Sequence, residues 1–242
     1  MDFDIVIPVG SNDIYTIATQ LEYTKKNIVG YRHIFLVSFD PSLIIDGCIT
    51  IDERIFPFSL DTVSTFHGKQ WRNGWYLQQL LKLYAGFVIP DILDKYLVID
   101  SDTHFLKPTT FIENGKCLYN YGTEYWIEYF NHMHKLNNNL IKVDTAKSGI
   151  CHHMIFETKY VKELFDFVEK EHAGQVFYNI FLNNVTEDNF ETSGASEYEI
   201  YFNYMLLYHS DVITLRPLKW HNSRTLHNNC DFDYISVHWY MQ

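Results

Sequence analysis

Residues 96–105 read YLVIDSDTHF, and Tyr96-Leu97-Val98-Ile99 is a short apolar run that stops abruptly at Asp100-Ser101-Asp102. Such a run, bounded by polar residues, has the pattern of a buried strand. Side chains alternate along a strand, so Asp100 and Asp102 are expected on one face where it ends. Two carboxylates that close repel each other unless a cation lies beside them. Carboxylate oxygens suit Mg or Mn. In an open α/β sheet, ligands bind outside the carboxyl ends of the strands. The bland alternative is a turn in which Asp100 caps and Asp102 is solvated. A bare D-x-D is common by chance, and it is the apolar strand before it that gives this one weight.

Working outward, FDIVIPV (residues 3–9) reads as a second buried strand closed by Pro8 and Gly10. Ser11-Asn12-Asp13 then caps a helix expected over 14–27. Further strands are expected over 33–39 and 48–52. Strand, helix, strand with short connections is the signature of a parallel α/β sheet. STFHGKQWRNG (64–74) reads as a loop leading into a helix over 75–87. One face of that helix carries Leu77, Leu80, Leu81 and Tyr84, and another carries Trp75, Gln78, Gln79 and Lys82. Residues 113–148 read as irregular and rich in Tyr, Asn and His. GICHHMIF (149–156) reads as a strand and 159–172 as a helix. Ser196 opens a helix through Tyr208, and strand-like runs follow at 211–218 and 234–240. No repeat or Pro/Gly/Ser-rich linker divides the chain, so a single α/β domain over 1–242 is expected.

The 242 residues are 47% hydrophobic and 20% charged, a globular composition. Nineteen Lys+Arg against 30 Asp+Glu give a net charge of -11, which argues against nucleic acid and a polybasic membrane patch. Aromatic residues reach 17%, useful for stacking on sugars but equally for core filling. Cys48, Cys117, Cys151 and Cys230 form no CxxC pair, fitting a reducing compartment. Met1 to Asp4 carries no basic run before the first strand, so no signal peptide is expected. No apolar run reaches membrane-spanning length. A cytoplasmic protein, or one peripheral to a membrane, is expected.

The ordered set DIVIPVG, GWYLQQLLKLYA, YLVIDSDTHFLKP, SGICHHMIF and SEYEIYFNYML resembles the GT-A glycosyltransferase superfamily. More narrowly, it is similar to a poorly characterised group of bacterial and viral glycosyltransferase-like proteins. That resemblance implies a Rossmann-like GT-A fold with a mixed, mostly parallel sheet flanked by helices. Residues 1–110 would form the nucleotide-sugar and metal half and 111–242 the acceptor half. It implies a nucleotide-sugar donor such as a UDP- or GDP-sugar, Mn2+ or Mg2+, and a glycan or lipid-linked acceptor. Pro8, Val9 and Gly10 would meet the nucleotide. Asp100 and Asp102 would hold the metal on the diphosphate, with Ser101 between them beside the donor, so that the metal stabilises the leaving group. Lys82 and Gln79, with Arg72 and Lys69 in the preceding loop, would face the phosphates. A late histidine would complete the metal site, His238 in preference to His221.

The base is expected to be a carboxylate on the acceptor side. Ser196 and Glu199 have capping-box spacing, which accounts for Glu199 structurally and leaves Glu197 as the candidate base. His152 and His153 alternate, and His153 is taken as the ligand-side residue. Tyr121, Tyr125, Trp126 and Tyr129 are a natural place for an acceptor sugar to stack, or else a packed lid. Rival readings are a haloacid-dehalogenase-like phosphatase with Asp100 as nucleophile, a sugar-nucleotide nucleotidyltransferase, and an inactive glycan-binding protein on the same fold. The phosphatase motif normally lies near the start of its domain. VGSNDIY lacks the glycine-rich loop followed by Arg and Lys that a nucleotidyltransferase carries.

Overall fold

A computed structural model of the chain describes residues 2–227 and 231–238. Its first part runs β1 (Phe3–Val9), α1 (Ile17–Asn27), β2 (Ile28–Val29), β3 (Tyr31–Ser38), β4 (Ile49–Asp52), α2 (Leu60–His67) and α3 (Asn73–Val88). The middle follows as β5 (Lys95–Ile99), β6 (Thr103–Phe105), β7 (Thr109–Thr110), β8 (Ile112–Glu113), β9 (Lys116–Tyr119), α4 (Ile127–Leu136) and β10 (His153–Glu157). The chain continues through α5 (Thr158–Glu169), α6 (Phe177–Asn183), α7 (Glu197–Tyr208), β11 (Ile213–Leu215), β12 (Trp220–Ser223) and β13 (Tyr234–Val237).

The central sheet has the order β4-β3-β1-β5-β10. β1 is parallel to β3 and β5, β3 is parallel to β4, and only β10, on the edge, runs antiparallel to β5. Every residue of β1 is buried, as are Tyr96 to Ile99 of β5, because helices cover both faces of the sheet. Parallel strands covered in this way become continuous apolar runs rather than alternating ones. Each fully buried Val, Leu, Ile or Phe contributes roughly 1.5–3 kcal/mol. The chain leaves β1 for β3 and β4 on one side and returns to β5 on the other. The reversal falls between the carboxyl ends of β1 and β5, the position at which such folds form their ligand-binding crevice.

The molecule is thus a single mixed α/β domain. The two expected halves share its sheets: β10 pairs with β5, and β13 pairs with β6. No helix among the described residues is long and apolar enough to cross a membrane.

Several local expectations are corrected. Residues 64–67 belong to α2, which starts at a Ser59–Thr62 capping box and buries Val63 and His67. The segment expected to be irregular contains β9 and α4, and α6 goes unforeseen. The strand expected over 149–156 begins only at His153, because residues 149–152 form a loop with His152 at φ +61°. α1 starts at Ile17, without a side-chain cap from residues 11–13. Cys48, Cys117 and Cys151 are free thiols, while Cys230 and the expected strand residues 239–240 lie outside the described residues.

Candidate functional site

The crevice is walled by two turns. After β5 the chain turns through Asp100-Ser101-Asp102 before β6. That turn is fixed from behind: Thr103 N donates to Asp100 O, Val237 N donates to Asp102 O, and Gln20 of α1 donates to Thr103 O. Across from it, Asp13 sits in the turn after β1, accepts from Gly10 N at 3.2 Å, and hydrogen-bonds the Ser101 side chain. Burial raises the Asp13 carboxyl above its ordinary range, and the charges of Asp102 and Asp100 add to the rise, against hydrogen bonds from Ser101 and Gly10. Pro8 and Val9 are buried at the end of β1, Gly10, Ser11 and Asn12 are exposed, and Asp13 is half-buried.

Asp100 is densely partnered. Its Oδ1 meets Lys82 Nζ at 2.6 Å and accepts from Tyr198 OH at 2.8 Å, and its Oδ2 faces His152 Nδ1 at 3.3 Å. Burial alone would raise its carboxyl, but Lys82 first and then His152 hold it well below the usual range. Lys82 also donates to Glu197 Oε1 at 2.7 Å, and its side chain is only 3% exposed. Burial would lower the ammonium, but Asp100 and Glu197 outweigh it and keep Lys82 charged. Gln79, one turn of α3 before, accepts from Glu197 N through Oε1. The Trp/Gln/Lys face of α3 is therefore the site-facing one, and Lys82 is a buried bridge between two carboxylates rather than a free phosphate ligand. Burial raises Glu197 above its ordinary value, with Lys82 opposing and Asp100 reinforcing the shift.

Asp102 is partnered on one side only. Its Oδ2 meets His238 Nδ1 at 2.6 Å, whereas its Oδ1 is buried with no hydrogen-bond partner among the described residues. His238 follows β13 directly, so strand pairing with β6 carries it to the turn. His221, on β12, instead stacks on Phe232 at 4.2 Å. The His152 ring lies 4.8 Å from the His238 ring and 5.2 Å from Trp220. Burial would lower His152, but Asp100 and then Asp102 more than reverse this and raise it.

His153 points the other way. Its Nδ1 pairs with Cys151 O, and its ring packs on Phe105, Phe111 and Tyr234. Burial drives its imidazole down to about 3, so it is a neutral core residue. Strand alternation selects the wrong histidine because His152 precedes the strand in left-handed backbone, where alternation has no meaning. Tyr198 and Asp13 also escape the sequence. Tyr198 lies between two more conspicuous glutamates, and Asp13 looks like a helix cap. The capping box at α7 is half present: Ser196 accepts from Glu199 N, but the Glu199 carboxylate goes to Ser148, Lys142 and Asn203.

Arg72, before α3, lies over the rings of Trp71 and Trp75 at 5.3 and 4.3 Å. Lys69 is exposed in the same loop. Trp71, Tyr125 and Trp126 are all more than half exposed, while Tyr129 is buried in α4 and Tyr121 is half-buried. Among the described residues, no three His, Cys, Asp or Glu side chains converge closely enough to hold a metal by themselves. The orphaned Asp102 oxygen fits a hard cation that would take its remaining ligands from water or a bound anion, as Mg2+ commonly does.

A model described as a family of unknown function, DUF6492, matches residues 42–229. The chain belongs to this family. The matched segment holds Lys82, Asp100, Asp102, His152 and Glu197, whereas Asp13 precedes it and His238 follows it. No protein of curated function matches the chain.

Proposed function

We propose that the chain is a metal-dependent glycosyltransferase of GT-A type. It would move a sugar from a nucleotide-sugar donor, such as a UDP- or GDP-sugar, to a hydroxyl of a glycan or lipid-linked acceptor in surface polysaccharide or glycan synthesis. The observation that carries this reading is the pairing of the Asp100–Asp102 turn with the Gly10–Asp13 turn at the switch point of the sheet, with one Asp102 oxygen left bare. A nucleotide diphosphate is an anion that such an acidic crevice binds only through a cation, Mn2+ or Mg2+, at Asp102 with Asp100 and His238 beside it. The bound metal supplies charge stabilisation for the departing diphosphate. Glu197, whose burial raises its proton affinity toward that of a base, takes the proton of the acceptor hydroxyl. Lys82 holds that carboxylate in place. Exposed Trp71, Tyr125 and Trp126 offer ring faces to the acceptor sugar. The protein would act in the cytoplasm, at the membrane face where the acceptor is built.

The test is a thermal-shift panel of UDP-, GDP-, dTDP- and CDP-sugars with Mn2+. One donor should raise Tm, because a ligand that binds only the folded state stabilises it. Asp102→Ala should abolish that shift. Absence of a shift with every donor would reject the reading.

A further inference from the structure

We propose that His152 Nε2 and Asp102 Oδ1 are the two direct protein ligands of the divalent metal, and that Asp100 is a positioning residue behind His152. The inference rests on the metal-dependent reading above and names the atoms that would bind the metal. Asp100 is poorly placed as a ligand. Lys82, Tyr198 and His152 already engage both its oxygens, and a dication there would lie against the Lys82 ammonium, itself 2.6 Å from Oδ1. Asp102 differs, since His238 takes only Oδ2 and buried Oδ1 has no donor among the described residues.

His152 supplies the second observation. It is 8% exposed, and its Nε2 is buried without a partner among the described residues. Its Nδ1 faces a carboxylate oxygen, which favours the ring proton there and leaves the neutral ring's lone pair on Nε2. The His152 ring lies 4.8 Å from the His238 ring, whose Nδ1 holds Asp102 Oδ2 at 2.6 Å, so both side chains border the same turn. A buried acceptor without a donor is costly, and a cation is the partner that would satisfy both atoms at this turn. The strained φ of +61° holds His152 in this pose, as strain does at ligand sites. A carboxylate behind the distal nitrogen is the usual support of a metal-bound histidine. One oxygen and one imidazole nitrogen, with open positions for phosphate, suit Mn2+ and its transition-metal neighbours better than Mg2+.

The probe is Mn2+ alone, added to the intact chain without nucleotide and followed by electron paramagnetic resonance. Spin-echo modulation of bound Mn2+ should show nitrogen coupling in the wild type. His152→Ala and the bulkier His152→Gln should lose a coupled nitrogen and weaken Mn2+ by at least about tenfold. Asp100→Asn should keep the coupling even where affinity falls. Mn2+ binding with unchanged nitrogen coupling in both His152 variants, or with none in the wild type, overturns this ligand set. If the donor-dependent Tm shift survives that result, the glycosyltransferase reading still stands. Absence of Mn2+ binding to the wild type also overturns the ligand set, and the glycosyltransferase reading falls only if the donor-dependent Tm shift is absent as well.

Discussion

Lys82 carries the largest single-residue consequence. It is buried between Asp100 and Glu197, so its removal strands two carboxylates in a site that keeps out most water. Breaking a buried pair in this way costs roughly 3–5 kcal/mol. Lys82→Met should lower stability by that order in urea melts, and adding Glu197→Gln should recover part of the loss. Strictly additive losses would mean that the pair is not coupled. Glu197→Gln alone should keep the donor-induced Tm shift while sugar transfer collapses. If transfer persists, another group receives the proton. At this scale the sequence singles out Asp100, Asp102, Lys82, Glu197 and His238, and the structure gathers all five around one crevice. It could not show that Lys82 is locked, because an isolated Lys on a helix face looks the same whether solvated or buried.

The elements converge where the loop before β10 meets α7. A Cβ on Gly149 would lie 2.6 Å from both Tyr198 O and Phe202 Cβ, closer than such atoms approach. Gly149→Ala must therefore push α7 away from the loop that carries His152, at a cost of roughly 1–3 kcal/mol. The same shift should separate Tyr198 from Asp100, so Mn2+ affinity should fall with stability; unchanged Mn2+ binding would show that the two elements move independently. A second junction pins α6. His67 Nε2 and His132 Nε2 reach Leu182 O and Phe181 O, and burial lowers both imidazoles, His132 to about 4. The unfolded chain binds that proton near the ordinary value of 6.5, so protonation favours unfolding. The contribution of His132 is complete above about pH 6.5 and is lost as pH falls toward 4, by about 3 kcal/mol. The urea midpoint should drop across that window, less steeply in His132→Gln; parallel curves for the two proteins would reject the assignment.

For the whole molecule, the family match begins at residue 42, yet β1 and β3 lie before it and form the middle of the central sheet. Without them β4 has no neighbour, and β5 keeps only the edge strand β10. A fragment starting at residue 42 should not fold, as amide spectra with collapsed dispersion would show. A well-dispersed spectrum would place the core elsewhere. The acidity of the chain also acquires a location at this scale, since Asp13, Asp100 and Asp102 gather at the switch point of the sheet and Lys82 links Asp100 to the buried Glu197 behind them.

The parallel α/β core and the acidic turn that closes its central strand are legible in the amino-acid order alone. Both are local: an uninterrupted apolar run can only be buried, and its end is marked by the first charges that cannot be. Which histidine faces the crevice, that Lys82 is held on both sides, and that Asp13 completes the wall all follow from long-range packing. Those contacts join residues far apart in the chain, Lys82 to Glu197 over 115 positions, Tyr198 to Asp100 over 98 and His238 to Asp102 over 136. No local periodicity encodes them, because each depends on which strands become neighbours once the sheet has formed.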